Sequence, residues 1–235
     1  SMVVAGLPIS SSVFAATEEQ KSMVADATKN LALSKDTSLF PEVAEGVQER
    51  LNDGKLKADV NGDAHCALSK KGWGYSGESY AIIDLGDYYD ASTIEQVLVQ
   101  YKDAADNDTC IGRGYEIQFS TDNVKWTTVA SAGTDVKFDE DNCTVDDIAT
   151  TGAVRYVRAY YPTTATYGIQ ITEIAVLDTN GDAKTVEVSH CENAASVNVK
   201  SDDYNQIKYT ITAGEGQEEY KYMVYDGSDL IGNQV

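Results

Sequence analysis

Hydrophobic residues in this chain fall in short alternating runs rather than at helical spacing. At 115–120 the run Tyr-Glu-Ile-Gln-Phe-Ser puts Tyr115, Ile117 and Phe119 on one side and Glu116 and Gln118 on the other. That is the period of a half-buried strand. Similar runs at 80–85, 96–101, 154–160 and 169–177 also predict strands, separated by turns rich in Asp, Asn, Gly and Thr. Helix signals are sparse. The pattern over 41–51, with Pro41 at its first turn and Asn52-Asp53-Gly54 behind it, predicts one short helix. Residues 16–29 are polar and helix-tolerant, with a weak apolar face at Met23 and Ala27, and read as a linker or short docked helix. Many short strands with little helix predict an all-β sandwich.

From about residue 180 a second alternating pattern begins. Val186, Val188, Val197, Val199, Ile207, Tyr209 and Ile211 alternate with polar residues, as do residues 220–225. This predicts a small or truncated immunoglobulin-like β unit over 180–235, since it spans about half of the ~100 residues of such a sandwich.

The N-terminal stretch changes the picture. Residues 3–14 are apolar and small, and Val13-Phe14-Ala15 fits the small-residue rule before a signal-peptidase cut. Residues 1–15 therefore read as the remnant of a secretory signal, against the alternative of a short buried strand. No apolar run is long enough to predict a membrane-spanning helix. The expected setting is a secreted or cell-surface protein with neighbouring domains.

Composition narrows the partners. With 18 basic against 38 acidic residues among 235, the formal charge is −20. Such a surface repels phosphate backbones and anionic lipid, arguing against nucleic acid and membrane insertion. Carboxylates suit Ca²⁺, a hard cation that takes oxygen ligands. Cys66, Cys110, Cys143 and Cys191 are widely spaced, which argues against a zinc site and leaves disulfides and buried thiols both open.

Several motifs carry no function on inspection. Residues 72–77 match G-x-G-x-x-G, but a strand follows where a dinucleotide site needs a helix. Residues 178–182 begin like a calcium loop, yet Ala183 replaces the required Gly and Ser189 the required Glu, so an interdomain turn is expected. With His65 and His190 alone, histidine-based triads have few options. Carboxylates are too numerous for counting to test a glycosidase pair.

Five sets of residues, in order over 30–179, resemble the discoidin or coagulation factor V/VIII type C superfamily, closest in kind to family 32 carbohydrate-binding modules. Asn30-Leu31-Ala32-Leu33-Ser34-Lys35 is similar to N-L-A-x-G-K, with Ser at the usual Gly. Leu51 to Gly54 is similar to the family's Asp-Gly turn, and 80–86 to its strand ending in Asp-Leu-Gly. Tyr115 to Trp126, with Ser120 and Asp122, resembles Y-x-I-x-x-S-x-D-x-x-x-W. Val154-Arg155-Tyr156-Val157-Arg158 and the strand through Glu173-Ile174 resemble the closing segments.

The resemblance implies a discoidin-like jelly-roll β-sandwich of eight strands, non-catalytic, with ligand loops at one apex and a structural cation near the Asp-Gly turn. For the cation it implies Ca²⁺ held by Asp53 and Glu173, with Arg50 and Lys55 offering carbonyls and Thr172 and Asp59 nearby. Ala58 stands near the position of the family's Thr or Ser. The alternative is an Asp53 that only caps its turn and a solvated Glu173. For the ligand it implies His65, Trp73, Tyr75, Lys102, Arg113 and Tyr167. A flat aromatic against a sugar ring, with forked donors for its hydroxyls, is glycan chemistry. The expected function is an extracellular carbohydrate-binding module. The alternative is a protein-binding adhesion or spacer module.

Overall fold

The computed structural model describes residues 9–10, 12–41, 43–46, 48–56, 66–68, 77–101, 112–113, 115–131, 142–164, 169–188, 196–203, 206–212, 222–226 and 229–234. The chain divides into two compact units, Ser1–Glu187 and Val188–Val235. Residues near 180 belong with the first. The backbone N–H of Asp90 donates to Lys184, that of Val186 donates to Tyr88, and Thr185 bridges to Tyr89.

The first unit is a sandwich of two sheets. One runs in the order β1 (Ile9–Ser10), β10 (Thr127–Ser131), β9 (Glu116–Ser120), β12 (Ala153–Tyr161), β6 (Ser79–Asp90) and β3 (Asp36–Phe40). The other runs β2 (Ser12–Ala15), β11 (Asn142–Asp147), β7 (Gln96–Tyr101), β14 (Ile169–Leu177), β5 (Cys66–Leu68) and β4 (Val43–Gly46). All pairings are antiparallel except β1 on β10. A two-stranded ribbon joins β8 (Gly112–Arg113) to β13 (Thr163–Thr164). The N-terminal segment read as a signal remnant thus supplies an edge strand to each sheet.

The five predicted strands are present as β6, β7, β9, β12 and β14, because each alternation has an apolar face to bury. Tyr115, Ile117 and Phe119 enter the core with Ile83, Leu85, Val97, Val99, Val157 and Ile174. Cys143 packs in a smaller cluster with Leu98, Val145 and Leu177, where burial pushes its thiol up to about 12.

Two local expectations are corrected. Residues 41–51 form no α-helix: β4 pairs with β5, and a 3-10 turn follows at Gln48–Asn52. Pro at a first turn also suits the start of an edge strand, and pairing of Val43 with Leu68 outweighs weak helix propensity. The helix α1 lies earlier, at Glu18–Val24, where Thr17 and Gln20 form a capping box. Its anchor is Val24, fully buried, while Ala27 is exposed.

The second unit contains two antiparallel pairs among its described residues. They are β15 (Ser196–Asp203) with β16 (Gln206–Thr212), and β17 (Tyr222–Asp226) with β18 (Asp229–Gln234).

Candidate functional site

The corner around the Asp-Gly turn is built from three distant pieces of chain. Asn30 ties the first piece to the last strand: its Oδ1 accepts from Ala32 N–H at 3.1 Å and Val176 N–H at 3.2 Å. Asn52 ties the turn to the same piece, its Nδ2 donating to the carbonyls of Ala32 at 2.7 Å and Lys35 at 2.9 Å. Gly54 then takes φ +78°, which favours glycine, and a Cβ there would stand 2.7 Å from Leu33 Cδ1, so the end of that side chain would have to move.

Glu173 enters this corner from β14, at an irregularity of register between Ile171 and Glu173. Such a bulge re-aims a side chain. Its carboxylate is fully buried; Oε2 accepts the Gly54 N–H at 3.1 Å, and Oε1 has no hydrogen-bond partner. Burial first, and then the neighbouring Asp53 charge, push its acid well above the usual carboxylate range. The N–H groups of Gly54 and Lys55 and the Arg50 charge pull the other way.

Asp53 is partly exposed. Its Oδ1 accepts from Lys55 N–H at 3.0 Å and from the Arg50 guanidinium. Solvent reaches Asp53 through a concavity it shares with Lys35, Gln48 and Glu49. Thr172 is buried, but its hydroxyl is committed to Gln100, at 3.0 Å from Oε1. Asp59, like Ala58, lies outside the described residues. The expected contribution of Arg50 is a carbonyl; its side chain, which the sequence reading did not use, is 3% exposed and turned into the corner, with Nη1 against Asp53 Oδ1. The groups that could hold a hard cation here are Glu173 Oε1 and the Asp53 carboxylate, with backbone carbonyls of the turn. A buried oxygen without a partner costs about 1–3 kcal/mol, which a bound cation would offset.

Of the ligand candidates, His65, Trp73, Tyr75, Lys102 and Tyr167 lie outside the described residues. Arg113 is placed by its backbone alone, opposite Thr163. The flanking strands are informative. Leu68, at the end of β5, opposes Ile169, at the start of β14, and Tyr101, at the end of β7, opposes Ile171. Segments 69–76, 102–111 and 165–168 therefore attach to the same end of this sheet, and the β8–β13 ribbon adjoins two of them. Segment 57–65 instead connects Leu56 to Cys66, at the opposite end of β5.

No family model matches the chain, and no curated protein matches it. Among solved structures, it is similar to chitosan-binding module 2 of a chitosanase/glucanase from Paenibacillus sp. IK-5, in complex with chitotriose. The identity is 25%, over 63% of this chain and 99% of that one, with TM-score 0.44. It is also similar to a Streptococcus pneumoniae fucose-binding module, at 19% identity over 63% and 96%, with TM-score 0.45. A third is CpGH89CBM32-5 from Clostridium perfringens, in complex with GalNAc-β-1,3-galactose, at 14% identity over 61% and 95%, with TM-score 0.46. Carbohydrate-binding modules, the kind the sequence resembles, are thus among the structures to which this chain is similar.

Among the described residues, a further acidic cluster is committed to the turn at 178–183. Glu95, Asp178 and Asp182 place carboxylate oxygens within 4.8 Å of one another. Asp178 accepts from the N–H groups of Gly181 at 2.6 Å and Ala183 at 2.7 Å, and Glu95 accepts from Thr179 and Asn180. Among the described residues no helix is long and apolar enough to cross a membrane.

Proposed function

We propose that this chain is a non-catalytic, extracellular glycan-binding module, secreted or held at a cell surface beside other domains. The observation that carries the reading is the strand register that attaches segments 69–76, 102–111 and 165–168 to one end of the sandwich. Those segments and their flanks contain Trp73, Tyr75, Lys102, Arg113 and Tyr167. Trp73 or Tyr75 would stack on the apolar face of a sugar ring, while Lys102 and Arg113 would donate to its hydroxyls. His65 precedes Cys66, at the opposite end of β5, and is left out of this set.

At the other site, Ca²⁺ would be a structural ion held by Asp53 and Glu173, with carbonyls of Arg50 and Lys55. The buried, unpartnered Oε1 of Glu173 supports this. Ca²⁺ would supply charge neutralisation and tie the first loop to the last strand.

A glycan array on the chain tests the proposal. We expect binding that Trp73→Ala and Arg113→Ala each abolish without changing the melting temperature. Binding to no glycan, with capture of a protein ligand through the same residues, would favour the adhesion alternative.

A further inference from the structure

The carboxylates of Asp53 and Glu173 are brought together by two segments 119 residues apart, one of them entirely buried. Two neighbouring acids, one of them buried, are stabilised as carboxylates by a counter-charge. One is present on the chain itself. Arg50 lies three positions before Asp53 on the 3-10 turn, its side chain only 3% exposed, with Nη1 against Asp53 Oδ1. Its charge also acts favourably on the Glu173 carboxylate. A surface arginine paired with a surface aspartate would leave its long side chain in solvent; this one is withdrawn into the corner.

We propose that the Arg50 guanidinium is a tethered cation that competes with the divalent ion for the Asp53–Glu173 corner. This rests on the reading of that corner as a cation site. With Arg50 inside, Asp53 Oδ1 is occupied and a positive charge stands where a second cation would approach. A divalent ion must then displace the guanidinium towards solvent, which the concavity at Lys35, Gln48 and Glu49 leaves room for. Like charges in one poorly solvated corner repel strongly, so the two occupants exclude each other. The corner therefore stays closed without metal, and its affinity for the ion is set by how readily Arg50 withdraws. Calcium would act on this chain as an exchange of one cation for another rather than as the filling of a bare acidic site.

The experiment is calcium titration by calorimetry, paired with melting curves in chelator and in calcium, on the full chain and on Arg50→Gln. Arg50→Gln keeps a polar side chain but removes the charge. We expect it to bind Ca²⁺ at least about tenfold more tightly than the parent. It should also melt lower in chelator and gain more from calcium. Equal or weaker calcium binding by the variant would overturn the role of Arg50 while leaving the cation site standing. No calcium binding by either protein would overturn the site itself. If Arg50→Gln folds only when calcium is present, the expected dependence is shown directly. If it folds in neither condition, Arg50→Lys decides: keeping the charge, it should fold in chelator and bind calcium as weakly as the parent. Tighter binding by Arg50→Lys would overturn the competition.

Discussion

The backbone N–H of Gly54 donates to Oε2 of Glu173 at 3.1 Å, joining residues 119 positions apart in one buried hydrogen bond. It links the turn that follows β4 and the 3-10 turn at Gln48–Asn52 to the middle of β14. Glycine is favoured at this point because its φ is +78°, and a side chain would also push Leu33 Cδ1 away from 2.7 Å. Gly54→Ala is expected to cost more than about 1 kcal/mol, from backbone strain and displacement of Leu33 together. Urea denaturation followed by circular dichroism checks this; an unchanged midpoint would contradict it.

Ser34 occupies the position where the resembling motif has glycine, and its φ is 55°. A left-handed backbone costs a non-glycine residue about 1–2 kcal/mol, offset by the ~0.4–1 kcal/mol that glycine loses to unfolded-state entropy. Ser34→Gly should therefore stabilise the chain by about 0.5 kcal/mol. A small rise in melting temperature is the expected result, and a fall would show that Ser34 makes a compensating interaction.

Arg155 binds Asp84 with two hydrogen bonds, at 2.8 and 3.0 Å, between β12 and β6. The Arg155 hydrogen bond is the main influence holding the Asp84 acid below its usual value of 3.8. A depressed acid binds fewer protons in the native than in the unfolded state. Its stabilisation is thus present above the unfolded value and is lost as pH falls through the lower native one. Asp84→Asn should be less stable than the parent at neutral pH, and the difference should shrink as pH drops below about 4. Denaturation midpoints from pH 2 to 7 check the sign, and a gap that widens in acid would refute it.

Arg158 on β12 sits over Trp126, with its guanidinium carbon 4.2 Å from the ring centroid, and also 4.8 Å from that of Tyr160 and 5.1 Å from that of Tyr80. Its Nε donates to Gln118 Oε1 at 2.8 Å. Phe40 and Tyr160 stack on either side of Tyr80, so the cation is set into a row of rings on the open face of this sheet. Arg158→Ala should cost about 1–3 kcal/mol, from lost cation–π contact and lost packing over the rings. It should also make Trp126 more accessible to a fluorescence quencher, measured in a background where Trp73 is replaced by Phe. Unchanged quenching would argue that Arg158 does not shield the ring.

How much of this was legible in advance differs from element to element. The strands at Tyr115–Phe119 and Val154–Tyr160 were readable because alternation is a local property with period two. Ser120 and Asp122 were readable too, and the structure explains the motif: Ser120 Oγ accepts from the Asp122 and Asn123 N–H groups, while Asp122 Oδ1 accepts from Val124 and Lys125. That turn chemistry is complete within a few residues.

What lay beyond the sequence was set by partners distant along the chain. Residues 41–51 had a helical start signal, but Val43–Gly46 found β5 to pair with, and inter-strand pairing is invisible to a local window. Val24 rather than Ala27 anchors α1, because Leu56, Leu98 and Leu177 meet it from three other segments. At the candidate cation corner, the sequence by itself determined a tight Asp-Gly turn, since Asp53 and Gly54 carry that preference in their own side chains. Only the tertiary structure decided that Glu173 is buried against it and that Arg50 turns inward rather than to solvent. A buried carboxylate is stabilised by a positive neighbour, and which group lies there depends on how two segments 119 residues apart close on one another.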